Sequence, residues 1–294
     1  MESKIEILEK KIIDLLKKSI KQAVTTIPED ILDFFKILYE EEDNEINQTQ
    51  LQLILENFQC GSRGIPLCQD TGILNFYIKL GNQFPIISSF RNIIDKVVQE
   101  VTTDIPLRSN SVDPITNKNT GTNIGANSPP IFIEIIENSN DLEIIILPKG
   151  GGAENISKLF MLDPINGLER FPLMIKELIQ KAGGKPCPPI ILGVGLGGDA
   201  SNSMILAKKA LLRPIGVRHE RQDVAELELK IINSLNELNI GIMGLGGKIT
   251  CIDVHIELSM RHPASFPVGV IVQCYCHRIA SFKINKEGEL IYEA

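Results

Sequence analysis

The chain carries six cysteines, Cys60, Cys68, Cys187, Cys251, Cys274 and Cys276, and three of them sit where a loop meets an apolar run. Cys68 lies in Gly64-Ile65-Pro66-Leu67-Cys68-Gln69-Asp70-Thr71-Gly72, just ahead of the run ILNFYIKL. Cys187 lies in Lys185-Pro186-Cys187-Pro188-Pro189, and the prolines make a rigid loop that fixes where its sulfur points. Cys274 follows the run VGVIVQ and opens Cys274-Tyr275-Cys276-His277-Arg278. Three thiolates from separate loops suit an iron–sulfur centre with one iron left open to a substrate. An electron-transfer centre with four cysteines would show a tight CxxCxxC run, and the sequence has none. A structural zinc site at Cys274–His277 lacks the second CxxC-type knuckle that such sites carry. Cys60 and Cys251 read as core residues. Cys276 is either a spare thiol or an alternative to Cys274.

Other side chains could work beside such a centre. Asp70, two positions after Cys68, could be an acid, a base partner or an acceptor that orients its neighbours. Arg108 follows Pro106-Leu107 in a polar loop. Its planar fork suits two carboxylate oxygens, although a solvated charge would look the same. His262 precedes Pro263 in a turn or strand end, where a structural histidine is the commoner case. His255 shares a strand face with Asp253 and Glu257, so a solvent-exposed or packing role is expected.

Gly193-Val194-Gly195-Leu196-Gly197-Gly198 matches GxGxxG after a buried run, and a helix opening at Asp199 would offer N–H groups to an anion. A dinucleotide fingerprint needs an acidic residue ~20 positions further on, at the end of a second strand. Here that region runs from Leu212 to Glu220, polar and broken by Pro214. The loop reads instead as a tight packing turn or a wall of a substrate site.

The elements that must position these residues follow from periodicity. Ile5, Leu8, Ile12, Leu15, Leu16 and Ile20 recur at helical spacing and predict a helix over 4–24. A second helix is expected to start near Thr26-Ile27-Pro28-Glu29, with a capping residue ahead of the proline, and a third to run over 47–58. From residue 73 onward the texture changes to short β-branched runs, ILNFYIKL, IFIEII, LEIIIL, PIILGVG and VGVIVQ, which predict buried strands. Helical stretches are expected around 87–102, 166–182, 199–212 and 220–237. In TCIDVHIEL the alternation of Ile252, Val254, Ile256 and Leu258 predicts a half-exposed strand. The fold class is mixed α/β, a helical N-terminal lobe over 1–60 followed by mixed β-sheets flanked by helices. Residues 1–294 are read as one domain, because no linker marks a boundary.

A net charge of −7 argues against nucleic acid, whose backbone demands a basic stripe. No apolar run approaches the ~20 residues of a membrane span, and the N-terminus lacks the apolar stretch of a signal peptide. A cytoplasmic location is expected.

Taken in order, the segments PLCQDTG, PLRSNSV, NTGTNIG, PKGGGAEN, CPPIILGVGLGG, KKALLRPIGVRH, VHIELSMRHP and QCYCHR resemble the α-subunit, or N-terminal half, of class I iron–sulfur fumarate hydratases and L-tartrate dehydratases. The resemblance covers nearly the whole chain. It implies a [4Fe–4S] cluster on Cys68, Cys187 and Cys274, with one iron not held by cysteine. It also implies that Gln69 and Asp70 line the substrate pocket, that Arg108 clamps a carboxylate and that the backbone at Gly151 helps hold the substrate. His262 matches the family's active-site histidine. The chain departs from the family at Cys276, where alanine is common, and at Ile279, where arginine is. The implied reaction is reversible hydration of fumarate to (S)-malate, with tartrate dehydration as the alternative. A non-catalytic cluster sensor and a nucleotide-binding oxidoreductase are the readings from other classes. The family's remaining substrate-binding residues lie on its C-terminal half, so the resemblance implies a separate β-subunit, assembled as α2β2.

Overall fold

The computed structural model describes residues 4–294 except 86 and 88. Helices α1 (Lys4–Thr25), α2 (Glu29–Glu41) and α3 (Glu45–Cys60) open the chain. Strand β1 (Ile73–Gly81), helix α4 (Phe90–Asp104), and strands β2 (Ile131–Ile136) and β3 (Asp141–Lys149) follow. Then come α5 (Gly151–Glu154), β4 (Lys158–Leu162), α6 (Gly167–Ala182), β5 (Ile190–Gly197), α7 (Ala200–Ala210) and α8 (Gln222–Asn236). Strands β6 (Cys251–Ser259), β7 (Phe266–Gln273), β8 (Ala280–Asn285) and β9 (Leu290–Glu293) end it. Residue 88 of the helix predicted over 87–102 lies outside the described residues.

The chain divides into two compact units. The first takes the described part of Met1–Ile27, with Asn57–Lys149 and Arg278–Ala294; the second takes Pro28–Glu56 and Gly150–His277. The N-terminal helical region is present, and its helices are shared out, α1 to the first unit and α2 to the second.

In the first unit five strands form a sheet in the order β2-β1-β3-β8-β9, with β1 parallel to β2 and antiparallel to β3. Helices α1 and α4 cover one face, because Ile12, Leu16, Ile20, Ile94 and Val97 fall at helical spacing and pack on Phe76, Ile144 and Phe282. Fully burying each such side chain is worth ~1.5–3 kcal/mol, so this apolar stripe, rather than helix propensity, holds α1 in place.

The second unit's sheet runs β4-β7-β5-β6, with β5 parallel to β6 and antiparallel to β7. Alternation along β5 gives it two different faces. Leu192 and Val194 pack in one core with α6 and α8 residues such as Phe171, Ile175, Ile231 and Leu235. Gly193 and Gly195 face α7, where an added Cβ would collide with the carbonyls of Ala207 and Ser203, and Gly269 of β7 meets Ser203 the same way. The first two glycines of GxGxxG thus serve close helix–sheet packing. Asp199 caps α7 by accepting from the Asn202 N–H at 2.7 Å, and this bond, with the Ser201 hydroxyl, holds its carboxyl below the usual range. The chain's own carboxylate thus caps the helix start whose N–H groups could have met an anion, and the packing-turn reading of the loop agrees with the glycine contacts.

Two expectations are corrected. Pro28 itself occupies the capping position of α2, with no side-chain cap. Strand β6 is buried on both faces from Cys251 to Ile256, not half-exposed. The cause is the segment 211–221, whose arginines cover the polar face. Arg213 donates to Glu228 at 2.7 Å and to the Ile256 carbonyl at 2.9 Å, and Arg218 pairs with Asp253. His255 is wholly buried and lies 3.2 Å from Asp253, so of its two expected roles packing is the observed one. Burial alone would raise the Asp253 carboxyl, yet His255, Arg218 and the Gly216 N–H together hold it below the usual range.

Candidate functional site

In the first unit, the loop before β1 is pinned by Leu67. Its side chain is buried, its N–H donates to the Val24 carbonyl at 2.9 Å, and its carbonyl accepts from Asn57 at 2.8 Å. Past this anchor the chain turns outward, leaving Cys68 half-buried and Gln69 exposed. Asp70 then closes an Asx turn, its Oδ1 accepting from the Gly72 N–H at 3.0 Å. Gly72 has φ 78°, and a Cβ there would lie 2.8 Å from the backbone of Lys149. No larger residue fits that turn.

A second loop repeats the device. Leu107 is buried and Arg108 beside it is exposed. The two loops are tied by Thr71, whose hydroxyl donates to the Arg108 carbonyl at 3.3 Å, and by Asn110. The Asn110 amide reaches Asp70 Oδ1 at 3.3 Å and the Gly72 carbonyl at 3.1 Å. Asn110 in turn donates its N–H to Asn123 Oδ1 at 2.6 Å, and Asn123 also holds the Arg108 carbonyl. Between the loops lies an open cavity of about 680 Å³ lined by Cys68, Gln69, Thr71, Pro106 and Arg108, among others. A thiol, an amide and a guanidinium therefore face one space. Residues 106–123 supply the positioning hub that sequence reading missed; Asn110 and Asn123 lie inside PLRSNSV and NTGTNIG, which were matched without roles.

In the second unit, Cys187 and Cys274 are brought together by topology. Cys187 precedes β5, Cys274 follows β7, and these strands pair antiparallel with Ile191 opposite Gln273. The Tyr275 N–H donates to the Cys187 carbonyl at 3.1 Å. Cys187 has φ 54°, a left-handed conformation that costs a non-glycine residue about 1–3 kcal/mol and is held by the surrounding prolines. Both thiols are half-buried, while Cys276 is fully buried. Cys251 is also buried, and burial followed by the Asp253 charge pushes its thiol above the ordinary range, as befits a core residue. None of the six cysteines is in a disulfide.

Gly151 begins α5, exposed, and neighbouring Gly152 approaches the Lys185 carbonyl, two residues before Cys187. His262 is placed elsewhere. It lies exposed in the turn between β6 and β7, its Nδ1 accepting from the Ala264 N–H at 3.1 Å. Strand β7, eight residues long, separates that turn from Cys274. At ~3.3 Å per residue the separation is about 23 Å, so this unit does not bring His262 to Cys187 and Cys274. Neither unit gathers three His, Cys, Asp or Glu side chains into a metal-binding group among the described residues.

Among the described residues no helix is long and apolar enough to cross a membrane. The family model for fumarate hydratase (Fumerase) matches residues 13–283. A Methanocaldococcus jannaschii chain, provisionally named L(+)-tartrate dehydratase subunit alpha, is 42% identical over 285 residues, covering 95% of this chain and 100% of that one. The L(+)-tartrate dehydratase subunit alpha of Escherichia coli strain K12 is 34% identical over 264 residues, covering 90% of this chain and 87% of the relative.

Proposed function

Since the chain belongs to the fumarate hydratase (Fumerase) family of hydro-lyases, we propose that it is the α-type component of an iron–sulfur enzyme acting on a four-carbon dicarboxylate, with fumarate and (S)-malate as the first reading. The observation that carries this reading is the first-unit cavity, where Cys68, Gln69 and Arg108 line one wall system. Cys68, Cys187 and Cys274 are the proposed ligands. The donor set fits: three partly exposed thiols, none in a disulfide, on loops braced by Pro66, by Pro186 and Pro188, and by the Tyr275–Cys187 backbone bond. Such thiols also suit a reducing compartment such as the cytoplasm. When bound, a [4Fe–4S] cluster with one open iron supplies a Lewis acid for the substrate's hydroxyl.

The chain's own residues have distinct tasks. Water adds across the double bond with its hydroxyl on one carbon and a proton on the next, so no electron is gained or lost overall. Arg108, exposed on the cavity wall, binds a carboxylate through two parallel N–H donors. Gln69 presents an amide that can both donate to and accept from a hydroxyl. Asp70 has one oxygen engaged by the Gly72 N–H and Asn110, which favours an orienting task over free proton transfer. The backbone at Gly151 is the proposed further contact with substrate. His262 keeps its proposed role only by serving another copy of the chain, given the length of β7. A separate β-type chain completes the site in an α2β2 assembly, as the word subunit in the relatives' names suggests.

Tartrate dehydration is the second reading, favoured by those same names. The test is anaerobic reconstitution of the chain with iron and sulfide, with and without the partner, followed by turnover of fumarate, malate, tartrate and mesaconate. About four irons per chain and a three-iron EPR signal on mild oxidation are expected. Zinc or no metal would overturn the proposed chemistry, and full turnover by the chain alone would remove the partner.

A further inference from the structure

Among the described residues Arg278 is the largest fully buried side chain, at 1% exposure. It lies four residues after Cys274 in sequence and belongs to the first unit. One terminal nitrogen, Nη2, donates to the main-chain carbonyl of Asp70 at 3.1 Å. The other two nitrogens, Nε and Nη1, are buried and meet no hydrogen-bond acceptor among the described residues. Arginine stays protonated in proteins, so this is a buried charge balanced by a single neutral carbonyl. Native interiors pair such charges, because leaving one uncompensated is strongly destabilising. An anion beside that edge would supply the acceptor that the described residues do not.

Two anions belong to the proposed function, a diffusible dicarboxylate and the thiolate-ligated cluster. Burial separates them. Arg108 stands exposed on the open cavity, where a substrate can arrive and leave, whereas Arg278 is not part of that wall. It sits against the backbone of Asp70, two positions from Cys68, in the interior where a resident group belongs.

We propose that Arg278 is the buried charge partner of the cluster, its Nε–Nη1 edge donating to sulfur while Nη2 holds the loop that carries Cys68. This rests on the iron–sulfur reading above. Arg278 is thereby a positioning residue with an electrostatic task, since donors to sulfur and nearby positive charge stabilise the more negative, reduced state of a cluster.

The test compares the full-length chain with Arg278→Met and Arg278→Lys, each before and after anaerobic reconstitution with iron and sulfide. Three quantities are read: the thermal midpoint, the cluster's reduction potential by EPR-monitored titration and, with the partner chain added, KM for the diacid. Arg278→Met is expected to raise the midpoint of the metal-free chain, by removing an unpaired charge, and to lower that of the loaded chain. Its potential should shift downward, with Arg278→Lys falling between Met and wild type. Equal loss of midpoint in both states with an unchanged potential would make Arg278 a plain brace and overturn the proposal. A raised KM for the diacid with an unchanged potential would assign it to substrate and overturn it too. If Arg278→Met fails to fold, Arg278→Lys decides, since an unshifted potential there defeats the idea. A wild-type chain that takes up no cluster removes the iron–sulfur reading itself and this inference with it, whereas a loaded wild type with unmoved variants defeats this inference alone.

Discussion

The main-chain carbonyl of Cys187 accepts the N–H of Tyr275 at 3.1 Å, closing the gap between the loop that enters β5 and the loop that leaves β7. Two thiols distant in sequence are thus fixed by backbone, which side-chain substitutions on the loops leave in place. Cys276, in the same run as Cys274, is turned into the core.

That difference predicts opposite fates for the two cysteines. Cys274→Ser should abolish cluster uptake, measured as iron per chain after reconstitution. Cys276→Ala should leave iron content unchanged and cost about 1 kcal/mol of stability in a urea titration, the scale of a small buried deletion. Iron lost equally in both variants would return Cys276 to the ligand set.

Asn110 joins the Cys68 and Arg108 loops through three acceptors. Asn110→Ala should therefore lower kcat/KM by about 100-fold, the penalty of a misplacement of about 1 Å, with a stability loss of only about 1–2 kcal/mol. Arg108→Lys, by contrast, should raise KM for the diacid while iron content stays at the wild-type level. Steady-state kinetics on both variants checks the distinction.

Asp253 carries a pH dependence. Its folded carboxyl titrates below the unfolded one, so its contribution to stability is fully present above the unfolded pKa, about 3.9, and is lost as pH falls through the folded value. Urea midpoints should be steady from neutrality to about pH 5 and fall below about pH 4. Asp253→Asn should be less stable near neutrality and show a shallower acid limb. An acid limb of unchanged slope would assign that loss to other carboxylates.

His262 and Cys274 lie at opposite ends of β7, which predicts complementation between chains. Cys68→Ser and His262→Ala, each inactive alone with the partner chain, should regain part of the activity when co-assembled. Recovery of none would mean that His262 serves no site in another copy.

Much of this arrangement was legible in the residues. The spacing of Ile12, Leu16 and Ile20 announced α1, and the runs around Phe76, Ile144, Leu192 and Val270 announced the central strands, because burial leaves a periodic trace. The short strands β4, β8 and β9 were missed, being too brief and too mixed to show a period. The burial of Asp253 and His255 was missed for another reason. It depends on Arg213 and Arg218 arriving from a segment some 35–40 residues earlier, and tertiary pairing of that kind leaves no local pattern. Asn110 was overlooked because an asparagine in a polar loop looks the same whether it ties three strands of chain together or faces water. The loop pairing of Cys68 with Arg108 was foreseen only through resemblance, and the distance from His262 to Cys274 was not foreseen at all.

Where α7 lies on the sheet, carbonyl oxygens fill the space that side chains would need at Gly193, Gly195 and Gly269. Selection on this stretch therefore acts through shape. A descendant of this chain that had lost Cys68 or Arg108, and all chemistry with them, would still be obliged to keep those glycines in order to fold. The most motif-like stretch of the sequence is consequently a marker of architecture, and the loss of activity in a relative would have to be read from the two anchored loops beside Leu67 and Leu107.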